Sequence, residues 1–224
     1  MSLRDIVIVG AGGLGREVLF QLWEMNAAQP RYNILGFADD RVSLVGTEVD
    51  DVPVIGDIEY LIRWKHSTDV CVCVSNPVIR KFLVKRLSKN PNLSFPNILA
   101  PDLRCSNRIQ WGIGAIVSFS NIITMDVTIG DFVFLGNSCI VGHDSVLNEY
   151  ATLYNGVTVS GNCRIGECVE VGIGSRIIQG CSIGSQTIVG AGSVVIEELP
   201  CDCTAVGIPA KPIKYRQTNT STAM

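Results

Sequence analysis

Two histidines are present in the chain, His66 and His143, and histidine is the side chain whose ordinary pKa lies nearest to neutral pH. His143 is followed directly by Asp144, whose carboxylate could orient the imidazole, either directly or through a water. A general base needs such an orienting partner. His66 follows Lys65 at the end of a predicted helix, where a charge complements the helix dipole. From the residues alone, a surface histidine without a role is the ordinary interpretation of His143, and a general base oriented by Asp144 is the alternative.

A glycine-rich turn near the start of the chain is the second candidate site. The segment from Ile6 to Val9 is typical of a short strand, Gly10-Ala-Gly-Gly-Leu-Gly15 follows it, and a helical pattern continues to about Met25. Glycines in this context allow a tight turn and let the N–H groups at the helix start approach a phosphate. Taken alone, the motif favours NAD binding.

Polar residues follow two further predicted strands. A strand from Ile34 to Ala38 ends in Asp39 and Asp40, whose carboxylates could accept hydrogen bonds from ribose or from a uracil-like group. A strand from Val70 to Val74 is followed by Ser75. Ligands of open α/β sheets bind at the carboxyl ends of the strands, so these three residues are candidate ligand contacts.

Two predicted helices complete this unit. Asp57 is the expected N-cap of a helix over about residues 58–64, after a loop, and a second helix covers about residues 75–87. Residues 93–98 are interpreted as a last strand or a connector. We therefore place an N-terminal unit, about half of a full dinucleotide-binding fold, at residues 1–97.

An aliphatic residue returns at every sixth position from Val117 to Val195, fourteen times in succession. A second register, two residues ahead of each, holds small or medium residues and includes Cys139, Cys163 and Cys181. A period of six fits neither a helix nor a simple alternating strand. It predicts short parallel strands wound into a solenoid of triangular coils, with the aliphatic residues inward and the small residues at the inner corners.

Three hexads make one coil, so residues eighteen apart should stack on neighbouring coils. His143 lies two residues after Val141, where the coil turns and side chains point outward. Stacking places Met125 on one side of it and Gly161 on the other. We expect the glycine to leave open space above the imidazole ring.

Composition restricts the partners and the compartment. Lysine plus arginine number 18 and aspartate plus glutamate 21, a net charge of −3, so there is no basic excess for nucleic acid. No apolar run approaches the length of a membrane span and residues 1–15 lack a signal-peptide layout, so we expect a cytoplasmic protein. Among the nine cysteines, Cys71 and Cys73 alternate with valine as in a buried strand, with a metal site as the alternative.

Over nearly its whole length the chain resembles the hexapeptide-repeat sugar acetyltransferases, in particular the bacterial enzymes that act on nucleotide-linked amino sugars or on sialic acids. The resemblance implies a Rossmann-like domain over residues 1–97, a left-handed parallel β-helix over residues 98–216, and a tail over residues 217–224 that we expect to be disordered. The motifs that carry it are Gly10 to Gly15, Asp39-Asp40, Gly142-His143-Asp144, the hexads and Val206-Gly-Ile-Pro-Ala-Lys211.

The resemblance also implies roles and partners. His143 would be the catalytic base and Asp144 would raise its basicity, with acetyl-CoA as co-substrate, no metal, and CoA lying along the prism between two subunits of a homotrimer. Thr152 stands where some members carry a second histidine near the acetyl group. The implied CoA-binding residues are Thr152, Ile173, Gly190, Ala191 and Lys211. The implied contacts of a nucleotide-linked sugar acceptor are Gly12, Gly13, Leu14, Asp39, Asp40 and Ser75.

Several functions stay open at this point. N-acetylation of a nucleotide-linked amino sugar is the leading hypothesis, and O-acetylation of a sialic acid or capsule sugar is the second, because the same base serves either nucleophile. NAD binding is the alternative for the glycine-rich turn. A hexapeptide carbonic anhydrase is nearly excluded, since its zinc needs three histidines. The non-catalytic alternative is a trimeric scaffold or nucleotide-sugar sensor.

Overall fold

Short apolar strands that alternate with helices build a doubly wound α/β domain in the first part of the chain. The structure is a computed structural model that describes residues 3–216. The elements of this domain are β1 (Arg4–Val9), α1 (Gly13–Ala28), β2 (Tyr32–Ala38), β3 (Glu48–Val49), β4 (Val52–Gly56), α2 (Ile58–Ile62), β5 (Thr68–Val72), α3 (Pro77–Leu87) and β6 (Leu93–Ser94). The sheet order is β3-β4-β2-β1-β5-β6, and every pair except β3 with β4 is parallel. The carboxyl ends of β1, β2 and β5 therefore meet at one edge, where the strand order reverses.

The predicted helices are present with shifted ends. Asp57 caps α2, as predicted, by accepting a hydrogen bond from Tyr60 N at 2.7 Å, but the helix ends at Ile62. Asn76 caps α3 by accepting from Ile79 N at 3.0 Å. Strand β5 ends two residues earlier than predicted, so Ser75 lies in the loop between β5 and α3.

The loop predicted before Asp57 is wrong in part, because β3 and β4 form a hairpin there. Its two turn residues, Asp50 and Asp51, have φ values of 49° and 62°. A two-residue turn with both residues in the left-handed region matches the twist of paired strands, and aspartate tolerates that region better than most residues. Asp50 also accepts hydrogen bonds from Arg16 at 2.7 and 3.1 Å, which ties the hairpin to α1.

The rest of the described chain is a parallel β-helix with three flat faces, which has the left-handed fold that the sequence analysis predicted. Face 1 consists of β7 (Ile98–Leu99), β10 (Ile116–Val117), β13 (Phe134–Leu135), β16 (Thr152–Leu153), β19 (Glu170–Val171), β22 (Ile188–Val189) and β24 (Cys203–Gly207), with β25 (Ala210–Tyr215) antiparallel to β24. Face 2 consists of β8 (Arg104–Cys105), β11 (Ile122–Ile123), β14 (Ile140–Val141), β17 (Thr158–Val159), β20 (Arg176–Ile177) and β23 (Val194–Val195). Face 3 consists of β9 (Gln110–Trp111), β12 (Thr128–Ile129), β15 (Val146–Leu147), β18 (Arg164–Ile165) and β21 (Ser182–Ile183).

The core of the prism follows the predicted hexads. All fourteen aliphatic residues of the series are at most 2% exposed, and the small-residue register is at most 6% exposed. Polar members of that register are paired; Ser145 Oγ, for example, donates to Ser160 O at 3.0 Å. The prism begins one coil before the predicted series, because Leu99, Cys105 and Trp111 continue the same period. The latter two are not aliphatic, which hid that coil from the pattern.

Each corner of the prism turns through a residue in the left-handed region, at every sixth position and often not a glycine. Phe132, Asp144 and Tyr150 have φ values of 55°, 59° and 60°. In each case the backbone N–H donates to a carbonyl of the preceding coil, for example Tyr150 N to Asp131 O at 2.8 Å. The hydrogen bonds between coils thus offset the conformational cost of these turns.

The N-terminal domain packs on face 1 and on the two corners beside it. Gln21 of α1 donates to Ile98 O and Val117 O at 3.2 and 2.9 Å. At the corner between faces 3 and 1, Phe132 and Tyr150 stack with ring centroids 5.4 Å apart and contact the α3 side of the domain. The corner between faces 2 and 3 is therefore the one farthest from this domain.

The remaining predictions concern the cysteines, metal sites, membrane spans and the tail. Cys139, Cys163 and Cys181 are buried at the small register, as predicted, and all nine cysteines are free thiols. Within residues 3–216, no three or more His, Cys, Asp or Glu side chains are grouped to hold a metal ion, and no helix is long and apolar enough to cross a membrane. The tail predicted over residues 217–224 lies outside the described residues.

Two glycines on the same coil test how closely the coils approach. A Cβ at Gly172 would lie 2.5 Å from Ala191 N on the next coil, whereas a Cβ at Gly174 would meet no atom within 4 Å. We expect Gly172→Ala to lower the free energy of unfolding by about 1–3 kcal/mol through overpacking. Gly174→Asn should change it little, because asparagine tolerates the φ of 69° at this position. Urea denaturation of both variants measures this, and equal losses would contradict the steric explanation.

Candidate active site

The backbone at His143 is held on both sides by hydrogen bonds to neighbouring coils. His143 lies at the corner between faces 2 and 3, directly after β14 and Gly142. Its carbonyl accepts from Asn162 N on the next coil at 2.7 Å. Asp144 N donates to Met125 O on the previous coil at 3.0 Å. The position of this imidazole is thus set by the coil stack.

Asp144 orients the imidazole ring directly. Its Oδ2 lies 2.8 Å from His143 Nδ1, and the φ of 59° at Asp144 turns the chain so that its carboxylate lies beside the neighbouring ring. Because a carboxylate only accepts hydrogen bonds, this contact places the proton on Nδ1 and leaves the lone pair on Nε2. With 54% of the His143 side chain exposed, Nε2 is available to an incoming group.

Gly161 makes room for the ring. A Cβ at Gly161 would lie 2.5 Å from His143 Nε2 and 2.6 Å from Cε1. The sequence analysis expected the space beside this glycine to be open. In the structure the imidazole ring leans over Gly161 and occupies that space. Gly142 is needed for a related reason, since a Cβ there would lie 2.5 Å from Gly161 N.

The glycine-rich turn leads into α1, as predicted. A Cβ at Gly15 would collide with Gly10 O, so this glycine closes the turn against β1. Gly12 is the N-cap of α1 without a side-chain hydrogen bond, and Cβ atoms at Gly12 and Gly13 would meet nothing within 4 Å. Leu14 packs partly buried against the core of the domain. The helix start thus presents N–H groups with space around them, as an anion requires.

Asp39 holds the turn in place. Its Oδ2 accepts from Ala11 N at 2.8 Å, and Arg41 donates to its two oxygens at 2.8 and 2.9 Å. The hydrogen bonds from Arg41 lower the pKa of Asp39 to about 2 despite its burial. Because these oxygens are already bonded, Asp39 is better placed to shape the site than to bind a ligand itself.

A small cavity lies at the carboxyl ends of β1, β2 and β5. Its volume is about 190 Å³, and it is bounded by Gly10, Asp40, Val74 and Ile79, among others. This volume suits one planar ring system rather than a whole nucleotide sugar. Asp40 uses one oxygen to accept from Ile58 N at 3.0 Å, and its side chain is 58% exposed. A ring in the cavity could therefore meet the Asp40 carboxylate.

The expected role of Thr152 as an acetyl contact is corrected by its position. Thr152 is completely buried on face 1, against the N-terminal domain. Its Oγ1 accepts from Arg80 NH2 at 2.9 Å and donates to Ser75 O at 3.1 Å. No surface of Thr152 is left for a cofactor, because the N-terminal domain covers this position of face 1. Ser75, expected to contact the acceptor, is joined to the prism through its carbonyl.

The other implied CoA contacts lie at the C-terminal end of the prism. Ile173, which is 60% exposed, and Ala191 stack at the corner between faces 1 and 2. Gly190 lies against Val206, whose Cγ1 would be 2.7 Å from an added Cβ. Lys211 pairs with Glu197 at 2.7 Å, and both side chains are more than half exposed. An exposed pair of this kind contributes little and can exchange partners.

Sequence reasoning missed Arg80 and Arg41. The partners of Arg80 on the prism lie 52 to 72 residues away in sequence, so no local pattern identifies it. Gly161, by contrast, was placed beside His143 by the eighteen-residue stacking.

Comparison with known proteins bears on both domains. The PglD N-terminal domain family matches residues 5–87. No curated protein matches the chain. Among solved structures, the acetyltransferase domain of PglB from Neisseria gonorrhoeae in complex with acetyl coenzyme A is 29% identical with a TM-score of 0.87, over 95% of this chain and 100% of that one. WeeI from Acinetobacter baumannii is 27% identical with a TM-score of 0.85, over 94% and 100% of the two chains.

A third solved structure is a histidine-to-asparagine variant of perosamine N-acetyltransferase from Caulobacter crescentus in complex with CoA and GDP-perosamine. It is 28% identical with a TM-score of 0.86, over 95% of this chain and 98% of that one. These similarities extend through both domains. They confirm the resemblance to hexapeptide-repeat sugar acetyltransferases and the predicted fold class.

The ion pair of Asp39 gives a pH-dependent prediction. Its carboxyl titrates at about 2 in the folded chain against an ordinary value of 3.8, so ionisation stabilises the fold above pH 5. As the pH falls from 5 toward 2, the unfolded chain takes up the proton first and this stabilisation is lost. We expect Asp39→Asn to lower the free energy of unfolding by about 1–2 kcal/mol at pH 7, and by less at pH 3.5.

Urea denaturation at pH 7, 5 and 3.5 measures the effect. Asp50→Asn is the matched control, because it removes the exposed partner of Arg16 and should change stability little at any of these pH values. A loss for Asp39→Asn that stays constant from pH 7 to 3.5 would contradict the assignment.

Proposed function

We propose that this chain, an acyltransferase with the fold of the hexapeptide-repeat sugar acetyltransferases, transfers the acetyl group of acetyl-CoA to the amino group of a nucleotide-linked sugar. The observation that carries the proposal is the imidazole of His143, with Nδ1 bonded to Asp144 at 2.8 Å and Nε2 free at an exposed corner of the prism. The same geometry serves a sugar hydroxyl, so O-acetylation is the second candidate.

The reaction is a direct transfer. The neutral amine attacks the thioester carbonyl while His143 Nε2 takes up the proton that the amine loses. The tetrahedral oxyanion accepts a hydrogen bond from a backbone N–H. When the intermediate collapses, the C–S bond breaks, the CoA thiolate leaves and takes the proton from the imidazolium. No covalent enzyme intermediate is needed, and Asp144 stabilises the imidazolium while it exists.

The acceptor site is proposed at the carboxyl edge of the N-terminal sheet. The nucleobase of the acceptor would enter the 190 Å³ cavity beside Asp40 and Ile79. Its pyrophosphate would lie at the open helix start of Gly12 and Gly13. The Caulobacter relative, solved with GDP-perosamine, supports a nucleotide sugar over NAD. Leu14 and Ser75 stay proposed contacts of the acceptor, and Asp39 acts through the turn it holds.

A homotrimer is proposed from the family resemblance, and the geometry of a single chain supports the need for more than one copy. His143 lies at the corner between faces 2 and 3, whereas the acceptor cavity belongs to the domain that packs on face 1. One chain therefore does not bring its own base to its own acceptor, and a neighbouring copy supplies the missing half. CoA would lie between copies, along Ile173, Gly190 and Ala191, with Lys211 exchanging Glu197 for a CoA phosphate.

Two further expectations stay predictions. The sequence predicts a cytoplasmic location, and the family resemblance implies that no metal is required. The non-catalytic alternative, a nucleotide-sugar sensor, would share the cavity and the glycine-rich turn, so the fate of acetyl-CoA distinguishes it from an enzyme.

Replacement of the base is the direct test of catalysis. We expect His143→Ala to lower acetyl transfer, followed as CoA thiol release with saturating nucleotide amino sugar, by about 10²-fold or more. His66→Ala is the matched control and should retain full activity, because His66 lies in the N-terminal domain against Trp64. Unchanged thiol release in His143→Ala would remove the proposed role.

Nucleotide binding is tested at the cavity wall. Uridine or guanosine diphosphate should raise the melting temperature, and NADH should not. At a nucleotide concentration of 100 times Kd, binding adds about 2.7 kcal/mol to the free energy of unfolding. Ile79→Arg, at a cavity residue that is 52% exposed, should abolish the shift. The neighbouring Val78→Arg should keep it, since Val78 is 47% exposed and outside the cavity. Stabilisation by NADH alone would count against the acceptor site.

A further inference from the structure

Arg80 is a buried cation between the two domains. It lies on α3 and is 2% exposed, and each of its five N–H groups has an acceptor. Nε donates to Phe132 O at 3.0 Å; one terminal nitrogen donates to Val74 O and Ser75 O at 2.7 and 2.9 Å; the other donates to Tyr150 O and Thr152 Oγ1 at 2.8 and 2.9 Å. None of these partners is a carboxylate.

Such an arrangement is a costly way to stabilise a fold. Burial disfavours the charged guanidinium and lowers the pKa of Arg80 to about 10, so the group still carries its charge at neutral pH. Apolar side chains of similar volume generally stabilise an interface at least as well as a buried ion. Unlike an apolar residue, the arginine donates hydrogen bonds to five acceptors from one rigid plane.

The acceptors belong to two parts of the protein. Phe132 and Tyr150 occupy equivalent positions on successive coils of the prism, and Thr152 follows on face 1. Val74 and Ser75 form the loop after β5, and Val74 lines the cavity. Thr152 adds a second link, because its hydroxyl donates to Ser75 O at 3.1 Å. The cavity wall is therefore tied twice to the coil stack that carries His143.

We propose that Arg80 and Thr152 are positioning residues for the sugar-nucleotide acceptor, holding the Val74–Ser75 loop at a set height on the prism; this rests on the proposed function. Two effects follow. The loop keeps the cavity wall fixed relative to the coils. In addition, the guanidinium donates to the carbonyls of Val74 and Ser75, close to where an anionic pyrophosphate would lie. These carbonyl dipoles therefore do not repel the pyrophosphate.

Thr152→Val and Thr152→Ser form a matched pair for the test. Valine keeps the shape but removes the acceptor for Arg80 and the donor to Ser75 O, whereas serine keeps the hydroxyl. We expect Thr152→Val to raise the KM for the nucleotide amino sugar about 5–10-fold, the effect of one charge-assisted hydrogen bond. The KM for acetyl-CoA should stay within about twofold, and Thr152→Ser should restore acceptor binding. Arg80→Lys, which loses the planar fork, should behave like Thr152→Val or worse.

Melting temperatures of all three variants separate positioning from simple stability. A lower melting temperature in Thr152→Val with an unchanged acceptor KM would overturn the proposal, as would an equal rise in both KM values. If the wild-type protein acetylates no nucleotide amino sugar, the proposed function fails instead. Calorimetric binding of uridine or guanosine diphosphate then tests the positioning role separately, and equal Kd values for wild type and Thr152→Val would overturn it.

Discussion

The hydrogen bonding of each coil to the coils before and after it is the constraint on which this protein depends. Strands of two residues are too short to be stable alone, and they persist because residues eighteen apart pair along three faces at once. The same stack supports the left-handed turns at bulky corner residues such as Phe132 and Tyr150. It also fixes the backbone of His143 through bonds to Met125 on the coil before and Asn162 on the coil after. The side chain of a corner residue can therefore be exposed while hydrogen bonds to neighbouring coils fix its backbone.

The three-sided shape places the domain contacts and the exposed imidazole on different parts of the prism. Face 1 is covered by the N-terminal domain, and its corner with face 3 carries the aromatic stack against α3. The corner between faces 2 and 3 stays exposed and carries the imidazole with its carboxylate. The cavity belongs to the domain that covers face 1, whereas the imidazole lies at the opposite corner, so the proposed reaction needs a second copy of the chain. Arg80 lies between the two domains, because its guanidinium joins the loop of Val74 and Ser75 to the coils.

Much of this was readable from the chain because the determining patterns are local or strictly periodic. The hexads predict which residues are inward, and the glycine-rich turn predicts the strand, the turn and α1. Where the pattern lost its aliphatic residues, at Cys105 and Trp111, the hexad series began one coil late, and only the family resemblance placed the start of the β-helix at residue 98. Where a turn used Asp50 and Asp51 instead of the usual glycine or asparagine, the hairpin was missed. Thr152 was assigned by its place in a family pattern, and the structure shows its side chain inside the molecule.

The sequence by itself determined the prism, the stacking neighbours of His143 and the doubly wound start of the chain, because each follows from a short repeat or from adjacent residues. Only the tertiary structure decided which face the N-terminal domain covers, that Arg80 meets Phe132, Tyr150 and Thr152, and that Asp39 holds the glycine-rich turn through Ala11. Those contacts join residues 28 to 72 positions apart. The packing of two separate units brings the longest of them together, and no periodicity in either unit specifies the other's surface.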